Sequence, residues 1–140
     1  MKKLTQLSLA IGLSTLLAQP VMAGTLYDQF GGESGMAKVV DEFIGVVVAD
    51  GRINSFFKNT NIDYLKMQLN NQFCSATGGG CQYSGRDMVS AHAGMGVNTA
   101  DFNALAEDLQ EAMTRQGVSS SAQNKLIAKL APMQRDIVTK

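Results

Sequence analysis

The chain has a single histidine, two cysteines, two prolines and no tryptophan, and only 6% of its residues are aromatic. One histidine excludes any intrachain centre that needs two, such as a His-rich zinc site. Two cysteines permit at most one intrachain disulfide. Neither sign of charge is in excess, with Lys plus Arg and Asp plus Glu at 12 each. Nucleic-acid binding draws on a basic surplus that displaces counterions from phosphate, so that class is set aside. Runs of β-branched residues are nearly missing too. Val46-Val47-Val48 stands alone, inside a longer helical pattern.

What is present is apolar mass: 45% of the 140 residues are hydrophobic. That is enough to offset the entropy of ordering one domain. Residues 1–23 have the three parts of a secretory signal. Lys2 and Lys3 open it, an apolar stretch runs from Leu7 to Leu17, and Val21-Met22-Ala23 follows Pro20 as a cleavage site. The apolar stretch falls short of the ~20 residues that span a bilayer, so no stable membrane insertion is expected after cleavage. The mature domain, 24–140, then carries ten basic against twelve acidic side chains. The style of the signal points to a bacterial periplasm. In such an oxidising compartment Cys74 and Cys81 read best as a structural disulfide. A loop this short stabilises by roughly 2–3 kcal/mol in the chain-entropy picture. The alternatives, a metal site or a redox pair, fit less well: no histidine lies near, and redox pairs usually sit closer in sequence.

The mature chain reads as all-α. Thr25 can cap a short helix from Leu26 to Phe30, ended by Gly31-Gly32. Ser34 can cap the next, running to about Ala49, with Met36, Val39, Val40, Phe43 and Val47 at helical spacing. A short connection carries Ile53, Phe56 and Phe57. Thr60 or Asn61 can cap a helix from Ile62 to Ala76, striped by Ile62, Leu65, Leu69 and Phe73 and stopped by the run to Gly80. A further helix is expected from about Arg86 to Ala93, holding Met88 and His92. Thr99 can cap another that Gly117 closes, its face lined by Phe102, Leu105, Leu109 and Met113. The last starts at Ser120, with Gln123 as a capping-box partner, and Pro132 is expected to kink it.

His92 stands among Ala91, Ala93, Gly94 and Gly96, with Met88 one turn earlier on the same face. A lone histidine is usually an ordinary surface or core residue. Haem iron, however, needs only one protein ligand, and a neutral imidazole supplies it. Several segments, in order, decide between these readings. They are LYDQFGG at Leu26–Gly32, VVDEF at Val39–Phe43, VADGRINSFF at Val48–Phe57, Asn61–Gly79 with its Leu65-Lys66 and Gly78-Gly79, and YSGRDM at Tyr83–Met88. Together they resemble group I truncated haemoglobins from about Leu26 to Val138.

That resemblance implies a 2-on-2 globin sandwich around haem b, with His92 as the proximal iron ligand. It implies that Phe57 presses on the haem, that Leu65, Leu69 and Phe73 belong to the distal helix, and that Met88, Val97 and Phe102 line the proximal side and edge. Lys66, Tyr83 and Arg86 are the residues it offers to the propionates. It also exposes two departures. Where the family commonly holds oxygen with a tyrosine and a glutamine, this chain carries Ile44 and Leu69. A charge-assisted hydrogen bond is worth about 1.5–3 kcal/mol, or roughly ten- to 150-fold in affinity, so weaker oxygen retention and faster autoxidation are expected. Gln68, next to Leu69, is the candidate substitute donor. A bis-histidine haem is excluded, because there is no second histidine.

The implied partners are haem and a diatomic ligand: oxygen, nitric oxide or carbon monoxide. Binding without dedicated turnover is the most economical reading. A periplasmic redox role remains the alternative, by electron transfer with an unidentified reductase, by nitric oxide oxidation, which needs oxygen held first and is weakened by Ile44 and Leu69, or by weak peroxidase action, which would want a distal acid–base group. No such group is evident. A cofactor-free all-α adaptor is the reading from a different class; it predicts a colourless protein.

Overall fold

The computed structural model describes residues 24–140 as seven α-helices, with no strand among them. The signal-like segment 1–23 lies outside the described residues. The helices are α1 (Leu26–Gln29), α2 (Gly32–Ala49), α3 (Ile62–Thr77), α4 (Met88–His92), α5 (Thr99–Arg115), α6 (Ser120–Leu130) and α7 (Gln134–Ile137). No helix among the described residues is long and apolar enough to cross a membrane. The all-α expectation holds, and so do the apolar stripes. Met36, Val39, Val40, Phe43 and Val47 of α2 are buried against Leu109, Ala112 and Met113 of α5 and Leu126 of α6. Helix α2 packs on both α3 and α5, and α6 closes on both α3 and α5. The two pairs, α2 with α3 and α5 with α6, form the sandwich.

Several boundaries fall one to three residues from where the sequence puts them, because a neighbouring side chain or a glycine does the capping. Thr25 caps α1 as expected, in a capping box with Asp28. Helix α2 starts at Gly32 rather than after Ser34, and Gly31 is its N-cap at φ 87°. The turn is so tight that a Cβ on Gly35 would lie 1.8 Å from the Phe30 carbonyl oxygen. Asn98, not Thr99, caps α5, and Asp101 returns the bond to the Asn98 amide at 3.0 Å. Ser119 caps α6 instead of Ser120. The expected capping box with Gln123 does not form: that side chain is buried and donates to the Val118 carbonyl at 2.9 Å and to Thr114 Oγ1 at 3.2 Å. Pro132 breaks the last helix into a 3-10 turn, Ala131–Met133, before α7 resumes.

Cys74 and Cys81 are disulfide-bonded, tying the end of α3 to the loop that leads into α4. Gly78, at φ 84°, ends α3, and the Gly79 amide donates back to the Cys74 carbonyl at 2.9 Å. A Cβ on Gly79 would lie 2.6 Å from Cys74 Sγ and 2.8 Å from the Tyr27 ring. Replacing both cysteines by serine should therefore cost about 2 kcal/mol of stability, read as a lower urea midpoint. An unchanged midpoint would count against the tie.

At the corner where α2 ends, four charged side chains meet. Arg52 Nε donates to Asp50 Oδ2 at 2.8 Å, and Arg52 Nη1 to Glu107 Oε2 at 2.6 Å. Arg52 Nη2 lies 3.5 Å from Asp108 Oδ1. Asp108 is buried on α5, and its Oδ2 has no hydrogen-bond partner. The Arg52 side chain holds the Asp50 carboxyl below the usual carboxylate range. Burial pushes Asp108 up to about 6, with the Asp50 charge adding to the shift. This corner fixes the 3-10 turn Asn54–Phe57, which presents Phe56 and Phe57 to the core.

Candidate functional site

Several apolar side chains lie outside the main core cluster. Ile44 and Val97 are buried but lie outside the cluster that α2, α5 and α6 share. Leu65, Met88, Phe102 and Met133 are half-buried and also outside it. They come from α2, α3, α4, the loop before α5, the start of α5 and the turn after α6. Between α3 and α4 lies a cavity of about 350 Å³ lined by Gln72, Ser75, Ala76, Tyr83, Asp87, Met88 and Met133. A larger groove of about 510 Å³ lies between α2 and α5. It is shallow and lined by charged groups such as Lys38, Glu42 and Arg115, so it lacks the apolar walls of a cofactor site.

Helix α4 presents the imidazole. Asp87 caps it: Oδ1 accepts from the Ser90 amide at 2.9 Å and Oδ2 from the Ser90 hydroxyl at 2.8 Å. The helix accordingly starts at Met88, not at Arg86, and it rests on α7. His92 Nδ1 is 2.8 Å from the Met88 carbonyl oxygen. A carbonyl only accepts, so Nδ1 is the donor, and in the neutral ring that leaves the lone pair on Nε2. That is the tautomer a metal-bound histidine takes, with its other nitrogen fixed by a backbone acceptor. Among the described residues no cluster of three His, Cys, Asp or Glu groups could hold a metal ion by itself.

The expected site residues fall into three sets. Met88, Val97, Phe102, Ile44 and Leu65 all lie outside the main core, and His92 is half-buried at the end of α4. Leu69 and Phe57 are half-buried and also touch the main core, whereas Phe73 lies fully within it, its ring 6.5 Å from that of Phe43. The polar residues diverge. Lys66 reaches away toward α2, where its Nζ pairs with Asp41 at 2.8 Å. Tyr83 donates its hydroxyl to the Arg86 carbonyl at 2.8 Å, and burial raises its pKa. Gln68 Oε1 is buried without a hydrogen-bond partner. A Cβ on Gly85 would lie 2.5 Å from that oxygen and 2.4 Å from Tyr83 Oη, so Gln68 faces the loop before α4. Sequence reasoning missed Met133, which looks like one more apolar position on a helix. Its place beyond Pro132 was the signal that the chain turns there.

A largely apolar cleft beside Met88, with an imidazole one turn further along α4 whose Nδ1 is held by the Met88 carbonyl, suits a flat, mostly apolar group that carries its own metal. The comparisons agree. The family model for bacterial-like globins matches residues 25–139. A group 1 truncated haemoglobin of Mycolicibacterium paratuberculosis is 33% identical over 115 residues, covering 82% of this chain and 85% of that protein. The group 1 truncated haemoglobin of Tetrahymena pyriformis is 32% identical over 116 residues, covering 83% of this chain and 96% of that protein. Its crystal structure in the Fe(III) form superposes with a TM-score of 0.80 over 84% of this chain and 100% of that one. The 2/2 haemoglobin of Synechococcus, solved in the cyanomet state with covalently attached haem, gives 0.78 at 28% identity over 84% of this chain and 100% of that one. The chain belongs to the bacterial-like globin family, and its fold is that of the truncated 2-on-2 globins. Membership implies haem and the binding of a small diatomic ligand.

Proposed function

We propose that this chain is an exported haem b protein that binds a diatomic gas on iron held by His92, in a distal pocket without a dedicated hydrogen-bond donor. The observation that carries the reading is the 2.8 Å contact of His92 Nδ1 with the Met88 carbonyl oxygen, which commits that nitrogen as donor and leaves Nε2 as the coordinating atom of a neutral ring. Haem, when bound, supplies the iron that takes the ligand; the chain supplies axial ligation, shielding and access. Met88, Val97 and Phe102 cover the proximal side, and Phe57, Leu65, Leu69 and Ile44 exclude water from the distal side. Gln68 turns its Oε1 toward the loop at Gly85, so the pocket is proposed to hold its ligand without this amide. Export is supported by the N-terminal pattern at residues 1–23 and by a cystine suited to an oxidising compartment.

The test is optical. Expressed with ample haem, the chain should show a Soret band that His92→Gly abolishes or strongly alters, and added imidazole should restore it. A folded, colourless protein, or a spectrum indifferent to His92→Gly, overturns the reading. Export has its own measurement: the protein recovered from the periplasm of a bacterial host should begin at Gly24 by intact mass. Retention of residues 1–23 in the cytoplasm would contradict it.

A further inference from the structure

Gln72 occupies an unusual position for an amide. It is half-buried on α3, two turns beyond Leu65, in a cleft with largely apolar walls. A buried amide needs partners. Its Nε2 is 3.7 Å from the sulfur of Met88 and 3.6 Å from the sulfur of Met133. Each of its two N–H bonds thus has one thioether to donate to. Three elements meet at this one nitrogen: α3, α4 and the 3-10 turn after α6.

Met88 is the residue through which the contact acts. Its sulfur accepts from Gln72, and its carbonyl accepts from His92 Nδ1 at 2.8 Å. Helix α4 is five residues long, too short to be stable by its own backbone bonds. Its orientation depends on the Asp87 cap, on α7 and on what grips its first residue. Building on the assignment of His92 as axial ligand, we propose that Gln72 is a positioning residue for that ligand. By bridging the Met88 and Met133 sulfurs, it fixes the helix start whose carbonyl aims the imidazole.

Two arms test this, one without haem. In the haem-free chain, Gln72→Leu keeps an apolar side chain but removes both N–H donors. It should speed hydrogen exchange of the Ala91 and Met95 amides, which bond to the Asp87 and His92 carbonyls, by roughly two- to tenfold. The Gln116 amide, bonded to Ala112 on α5, should not change. Met88→Leu should give a similar increase, and the double variant no more than either alone. In the haem-loaded ferrous protein, Gln72→Leu should shift or broaden the iron–imidazole stretching band in resonance Raman spectra. Unchanged exchange at Ala91 and Met95, additive single variants or an unmoved band overturns the proposal. A chain that takes up no haem overturns the ligand assignment and with it the positioning role, while the exchange arm still reports whether the bridge itself holds α4.

Discussion

Leu69→Gln combined with Ile44→Tyr should slow oxygen release from the haem-loaded ferrous protein by roughly ten- to 150-fold, the weight of one charge-assisted hydrogen bond of about 1.5–3 kcal/mol. Bound oxygen draws negative charge from iron, and a donor aimed at it stabilises that charge. Carbon monoxide accumulates far less charge, so its release should change by much less. The ratio of the two effects separates a hydrogen bond from a steric change in access. Ile44 is 5% exposed, so an added phenol needs both volume and a partner for its hydroxyl. Leu69 is half-buried and close to glutamine in length, which makes Leu69→Gln the safer single variant. Gln68→Leu is the companion control. Because Gln68 Oε1 faces the loop at Gly85, its loss should leave oxygen release within about twofold, less than one net hydrogen bond. A large acceleration in Gln68→Leu would show that this amide turns inward when haem is bound. Slow release from the unmodified protein would show that the pocket already contains a donor.

How much of this was legible in the sequence depends on whether a property is local. The stripes on α2, α3 and α5 were, because helical period alone dictates which side chains face inward. Gly31, Gly78 and Gly117 mark real turns, at φ 87°, 84° and 72°. Caps were legible only to within one to three residues. Thr99 and Asn98 are both competent, and the choice depends on which neighbour lets Asp101 reach back. Gln123 looked like a capping partner because spacing cannot reveal that its amide is needed by the Val118 carbonyl and the Thr114 hydroxyl. His92 is proposed as the ligand on its solitude and on the order of the segments around it. The grip of Gln72 on Met88 and Met133 was not legible, since its partners come from two other elements, 16 and 61 residues away along the chain. Lys66 illustrates the reverse case: a residue type suited to a propionate is engaged by Asp41, one helix away. The corner at Asp108 was equally hidden, for Arg52 is brought to it from a turn after a different helix.

That corner gives the second large effect. Asp108 is 3% exposed, with one oxygen unpartnered and Asp50 beside it. Its pKa rises from 3.8 to about 6 on folding, chiefly through burial. The folded chain therefore binds this proton more tightly than the unfolded chain does. The resulting stabilisation is complete below pH 4 and lost as the pH rises through 6. Asp50 moves the other way, its pKa lowered by Arg52, so its contribution is present above the ordinary carboxylate value and lost only in stronger acid. The window between 4 and 6 thus reports Asp108. Asparagine there is a permanent stand-in for the protonated form. Asp108→Asn should raise stability at pH 8 by roughly 2–3 kcal/mol, by the pKa-to-energy conversion, and hardly change it at pH 4. Denaturant midpoints of variant and parent, compared at each pH in the same haem state, would show the gap opening as pH rises. The charges facing the site are Asp50 and Arg52 from the corner and Glu107 and Glu111 from α5, and only Arg52 favours the ionised form. Its guanidinium stands 3.5 Å from Asp108 but is shared with Asp50 and Glu107, and more than half exposed. Should Asp108→Asn instead weaken the fold at pH 8, the pairing with Arg52 outweighs burial and the crowding of carboxylates, and the corner is a salt bridge rather than a proton trap.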